Sequence, residues 1–229
     1  MRLFYFDMTQ GNKIALQCLA EELGWKETIG LALKLQYRLI TDNPFKEINR
    51  HKPPSKQEKL TQRQMGPMVV LYHLLEESHP RARCLQILSE LSQRVAIAFL
   101  KFNVPVIEAK QYKNLPRKDK LAMLKKITQR FFNAKAELKL DSQDNFKFNV
   151  SVCYFARYAK MLNVPELAPL FCASDKIYFD NHQPDVRLIR TVTLATDNKP
   201  CDFYFQWKDS DPPKTPAKEE EDATMRTVF

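Results

Sequence analysis

Five cysteines, four histidines and a surplus of lysine and arginine are the residues of this 229-residue chain with chemistry to offer. Zinc sites normally place two ligands on one turn as a C-x₂₋₄-C knuckle, because the pair then shares the cost of ordering. No such pair is present. Cys18, Cys84, Cys153, Cys172 and Cys201 are scattered, the last three with 18 and 28 residues between them. Buried cysteines packing as small hydrophobes are the default expectation. No resident cofactor is expected; a divalent metal such as zinc would need a site assembled by folding from Cys153, Cys172, Cys201 and His182. His51, His73 and His79 are isolated and read as helix-surface or helix-end residues, not as the base of a Ser-His-Asp triad. The odd number and wide spacing of the cysteines fit reduced thiols in a cytoplasmic compartment better than a disulfide framework.

Other chemistries are excluded by what is missing. The chain has four glycines (Gly11, Gly24, Gly30 and Gly66), where average usage gives roughly 16. A P-loop, a dinucleotide fingerprint and a kinase glycine-rich loop all need clustered glycines, and the G-x-S-x-G elbow needs two around a serine. The net charge of +9 is uneven: Lys208 to Phe229 carries −2, so residues 1–207 carry +11. Lys110, Lys113, Arg117, Lys118, Lys120, Lys125, Lys126 and Arg130 form a basic stretch against the single acid Asp119. No RNP, zinc-finger or helix-turn-helix signature accompanies it, so specific nucleic-acid binding is not expected. Neither a secretory leader nor an 18-residue apolar span is apparent, so no transmembrane segment is expected. The tail, 208–229, reads as a disordered, solubilising end. Its glutamate run resembles the C-terminal signals of bacterial type IV secretion substrates.

The densest set of polar and nucleophilic residues lies in 146–207, FKFNVSVCYFARYAKMLNVPELAPLFCASDKIYFDNHQPDVRLIRTVTLATDNKPCDFYFQW. A strand ends in Cys153, a helix follows, then Pro165-Glu166-Leu167, Cys172 with Asp175 three residues on, Arg190-Thr191, and Cys201-Asp202-Phe203. In order and spacing this stretch resembles the C-terminal part of the L-2-amino-thiazoline-4-carboxylic acid hydrolase family. The resemblance implies hydrolysis of a cyclic isothiourea to N-carbamoyl-cysteine. It makes Arg190 the candidate clamp for a substrate carboxylate, and Asp175 and Asp202 the candidate acid/base groups. Cys153, Cys172 and Cys201 are candidate nucleophiles. One departure stands out: the family's closing Cys-Asp-Phe-Arg-Phe has Tyr204 in place of arginine, on the same strand face as Asp202. A degenerate relative with no turnover, acting as an adaptor or binding subunit for protein partners, is the alternative.

These residues must be positioned by an α+β fold. Helical spacing marks Leu16, Leu19, Ala20 and Leu23, capped by Gly24. Further helices are expected at about Lys26 to Ile40, Glu58–Ser78 and Arg81–Phe102, and from Pro116 at the first helical position. Residues 44–57 read as a polar connection. Leu121, Leu124, Thr128 and Phe131 mark a buried helix face. From about Ala136 alternation takes over, with a hairpin around Asp141–Asn145, and strands at Val186–Ala195 and Cys201–Trp207. Short helices are expected at about Tyr154 to Leu162 and from Pro165 to Cys172. The expected architecture is four to six N-terminal helices (1–135) packed on a small four-stranded antiparallel sheet (136–207), then the tail. Asn163 and Asn198 stand where the family has glycine, and asparagine is the next residue to tolerate positive φ.

Overall fold

Alternating and helical periodicities change over where the sequence says they should, and the computed structural model, which describes residues 2–140 and 145–209, follows them. Helices come first: α1 (Arg2–Phe6), a π-helical turn (Asp7–Gly11), α2 (Asn12–Leu23), α3 (Trp25–Thr41), α4 (Lys46–His51), α5 (Lys56–Glu76), α6 (Arg81–Asn103), α7 (Ala109–Lys113) and α8 (Arg117–Thr128). Then come β1 (Ala134–Leu140), β2 (Phe146–Cys153), α9 (Tyr154–Met161), a 3₁₀ turn (Pro165–Leu167), α10 (Ala168–His182), β3 (Val186–Ile189) and β4 (Cys201–Trp207). The class is α+β.

The chain divides into two compact units: Met1–Asn103 with Tyr154–Ser174, and Val104–Cys153 with Asp175–Phe229. In the first, Cys18 and Leu19 of α2, Met65, Val69 and Leu75 of α5, and Cys84, Ile87 and Leu88 of α6 are buried at helical spacing. Helix α5 opens with a capping box: Ser55 Oγ accepts from the Glu58 N–H at 3.2 Å and Glu58 Oε2 accepts from the Ser55 N–H at 2.8 Å. Arg157 also donates to Glu58. Burial alone would push this carboxyl up, but the Ser55 hydrogen bonds and the Arg157 cation hold it below its ordinary value. Glu166 of the Pro-Glu-Leu step accepts from Tyr72 Oη at 2.8 Å and from Arg81 at 2.7 Å, tying the 3₁₀ turn to α5 and α6.

In the second unit the sheet is fully antiparallel, in the order β1-β2-β4-β3. Phe146, Phe148 and Val150 alternate inward along β2, as period two requires. Phe146 stacks on Phe205 of β4 with ring centres 4.7 Å apart, and Phe179 of α10 meets Phe205 edge-on at 4.6 Å. Tyr112 of α7 lies 5.0 Å from Trp207. The C-terminal carbonyls of α10 are satisfied by Lys208, whose ammonium donates to Asp180 O and Gln183 O at 2.8 and 2.6 Å.

Several boundaries differ from expectation. The stretch read as a polar connection contains α4. Pro116 is the cap preceding α8, not its first residue, with ψ 148. Leu121 is half-buried and Lys120 buried instead, its ammonium 5.5 Å from the Tyr112 ring; Phe131 lies beyond the helix. The helix after Pro165 runs past Cys172 to His182. Strand β3 stops at Ile189, because side chains capture the next backbone N–H groups that a strand would offer its neighbour. The hairpin turn falls on 141–144 and the tail on 210–229, both outside the described residues; Lys208 and Asp209, counted with the tail, are placed, Asp209 accepting from Lys113 at 2.7 Å. Asn163 and Asn198 adopt φ of 57° and 53°.

Candidate functional site

Three candidates converge in the second unit. Asp175 lies on α10, Arg190 directly follows β3, and Cys201 opens β4. Arg190 Nη1 is 3.6 Å from Asp175 Oδ2, with the arginine side chain 9% and the aspartate 26% exposed. The guanidinium lies 5.1 Å from the centre of the Phe203 ring, a cation–π placement. Strand periodicity puts Cys201, Phe203 and Phe205 on one face of β4, so Arg190 belongs to the face of the buried core. Burial lifts the Asp175 carboxyl from its ordinary value to about 6, against the pull of Arg190 in the opposite direction. Burial likewise pushes the Cys201 thiol up, and the Leu194 N–H donates to its sulfur at 3.2 Å.

Asp202 does something different. Its two oxygens accept from the Thr191 N–H at 2.9 and 3.2 Å, from the Val192 N–H at 2.8 Å, and from the Thr191 hydroxyl. A carboxylate with three donors is a clamp for the segment between β3 and β4. Cys201 holds the same segment through Leu194, and Asp197 closes a tight turn within it, accepting from the Thr193 N–H at 2.8 Å. Together these contacts fix the backbone that carries Arg190. Tyr204 shares the other face of β4 with Asp202, and the ammonium of Lys147, its cross-strand partner, lies 5.3 Å from its ring.

The remaining cysteines stand apart. Cys153 ends β2 opposite Ala134, three residues beyond Val150, which is the partner of Cys201; at about 3.3 Å per residue that is about 10 Å along the strand. Cys172 is half-buried on the part of α10 that belongs to the first unit, one turn before Asp175 in sequence. All five cysteines are free thiols. Among the described residues no three His, Cys, Asp or Glu side chains gather to hold a metal ion, and no helix is long and apolar enough to cross a membrane. The basic stretch forms α7 and α8, with Lys110, Lys113, Arg117, Lys118, Lys125 and Lys126 turned to solvent.

Two contributors escaped the sequence reading: Phe203, quoted only as part of the Cys201-Asp202-Phe203 motif and given no role, and the Leu194 N–H, a backbone group that no side-chain pattern reveals. Period two had nevertheless separated Phe203 from Asp202 and Tyr204, the clue to two distinct faces.

The model of the L-2-amino-thiazoline-4-carboxylic acid hydrolase family matches residues 58–205, from the capping box of α5 to Phe205. The match begins well upstream of the motif-rich stretch. No curated protein and no solved structure matches the chain.

Proposed function

The chain belongs to the L-2-amino-thiazoline-4-carboxylic acid hydrolase family, and from that premise we propose that its second unit hydrolyses a small carboxylated cyclic amidine, with Asp175 as the proton carrier. The observation that carries this reading is a mostly buried carboxyl lifted to about 6 beside a guanidinium. A group of that pKa changes protonation state near neutrality at little cost, which is what general acid–base catalysis requires.

Water is the nucleophile in this scheme. As its oxygen bonds to the amidine carbon, the Asp175 carboxylate takes one of its protons. The tetrahedral adduct then collapses, the bond from that carbon to sulfur breaks, and the protonated Asp175 returns its proton to the sulfur. One water is consumed, the ring opens to a carbamoyl thiol, and Asp175 ends as it began. Arg190 orients Asp175, and the planar fork of a guanidinium matches a substrate carboxylate. Cys201 serves the loop and not the chemistry, since burial keeps its thiol protonated at neutral pH. Asp202 and Tyr204 act through the strand, not on the substrate. The free cysteines support a reducing, cytoplasm-like setting.

The alternative is a binding subunit without turnover, contacting protein partners. Its specific support is the ion pair that Arg190 and Asp175 make with each other and the full occupation of Asp202. The deciding experiment incubates the purified full-length chain with the thiazoline carboxylate and follows thiol release with a chromogenic reagent. Turnover that falls at least 100-fold in Asp175→Asn supports the hydrolase. No turnover, with or without added divalent metal, removes it. The adaptor reading then faces its own test, pull-down from native lysate with and without residues 208–229; no stable partner in either would remove that too.

A further inference from the structure

Most of the exposed large apolar side chains lie before residue 41, ahead of the matched residues 58–205. Five of them share one helix: Trp25, Ile29, Leu33, Tyr37 and Ile40 of α3 are 60, 55, 69, 67 and 75% exposed. At 100° per residue they fall within an arc of roughly 120°, on the side away from the buried Thr28 and Leu31. The helix is therefore apolar on two sides, one covered by its own unit and one bare. A bare stripe four turns long differs from the scattered single apolar residues of an ordinary surface.

Area, symmetry and charge say what covers it. With about 200 Å² per aromatic residue scaled by the 60 and 67% exposure of Trp25 and Tyr37, and on the order of 100 Å² per exposed aliphatic one, the stripe offers about 550 Å² per copy. Two copies would bury about 1,100 Å² before any rim contact, which reaches the size a specific interface needs. The stripe is also self-complementary about Leu33. Laid antiparallel on a second α3 with Leu33 against Leu33, Ile29 meets Tyr37 and Trp25 reaches the end at Thr41, and the reverse pairs recur by the two-fold. The charges fit the same occupant. Of the three cations of α3, Lys34 and Arg38 lean to Glu77, at 3.6 and 4.0 Å, which leaves Lys26 beside Trp25, a thinner basic fringe than a helix lying on anionic lipid carries.

We propose that α3 is a self-association surface, on which a second copy of this chain packs its own α3 antiparallel across a two-fold axis at Leu33. Light scattering on the full-length chain at tens of micromolar is expected to give twice the 26.9 kDa of one copy. The double variant Ile29→Glu, Leu33→Glu is expected to give the single-copy mass with its helical content and a cooperative melt retained, because both side chains are exposed in one copy. Mild oxidation of Leu33→Cys should produce a dimer whose linkage maps to the substituted position, at several times the yield of Lys34→Cys on the flank. A monomeric wild type, a double variant as dimeric as wild type, or equal cross-linking at the two positions would each overturn the proposal. So would capture of a monomeric wild type on anionic vesicles that the double variant no longer binds, which would assign the stripe to a lipid surface.

Discussion

Replacing Asp175 by asparagine keeps the size of the side chain and deletes its charge. In the folded protein burial lifts this carboxyl from 3.8 to about 6 despite Arg190. An acid that holds its proton more tightly when folded contributes stability that is full below the unfolded value and is lost as pH rises through the folded one. From 3.8 to about 6, at 1.36 kcal/mol per unit, that loss is about 3 kcal/mol. The variant has nothing to titrate there. It does leave Arg190 beside a neutral amide, but a guanidinium stays charged at every pH used, so that penalty is constant. The slope therefore reports Asp175, whatever the offset. Stabilities from urea midpoints at about pH 4 and about pH 7.5 should show wild type losing about 2–3 kcal/mol relative to Asp175→Asn across that window. Carboxylates present in both proteins cancel. A difference that stays flat with pH would refute the buried, proton-binding carboxyl on which the mechanism rests. Activity gives a second readout: wild-type turnover should rise with pH through about 6 and level off, with the variant slower by about 10²–10⁴. Normal turnover in Asp175→Asn would end its role as proton carrier even if the stability slope appeared.

Two further substitutions separate chemistry from scaffold. Cys201→Ala removes the sulfur that accepts from Leu194 and should lower stability by about 1–2 kcal/mol while turnover stays within tenfold; a fall to background would show that the thiol is the nucleophile. At Asn163, φ 57, alanine should cost about 1 kcal/mol by urea midpoint and glycine nearly nothing; a harmless alanine would refute the left-handed geometry at that turn.

The legible parts of this fold are those where one physical preference acts alone. Leu16 to Leu23 with Gly24 announces a helix and its end, because spacing and positive φ point the same way. Asn163 and Asn198 were readable as left-handed positions for the same reason. The alternation of Phe146 to Val150 marked its strand and its buried face. Where two preferences compete, the sequence is mute. The β-rich run Val186 to Ala195 reads as one long strand, yet Asp202 and Asp197 capture the backbone N–H groups of Thr191, Val192 and Thr193, and pairing ends at Ile189. The helical order of α3 was plain, but periodicity identifies faces without saying which is covered, so the bare side formed by Trp25, Ile29 and Leu33 was not readable. Cysteine spacing could not say that Cys201 lies near Arg190 while Cys153 ends its strand elsewhere, since that depends on register across β2 and β4.

Register also decides what Tyr204, where the resemblance implies an arginine, means for the proposed site. A charged residue replaced on the face that binds substrate would argue for a degenerate enzyme. Tyr204 is not on that face. Arg190 stands over Phe203, one residue away and therefore on the opposite side of β4. The face that lost a cation also has one close by: Lys147, directly across the ladder, carries its ammonium to 5.3 Å from the Tyr204 ring. A cross-strand cation over an aromatic ring puts positive charge beside Tyr204, and the ring holds it there. The substitution thus leaves Asp175 on α10, Arg190 and the loop that follows it untouched. It bears on the proposed chemistry only through the stability of β4, and Tyr204→Arg should accordingly change the urea midpoint more than the turnover.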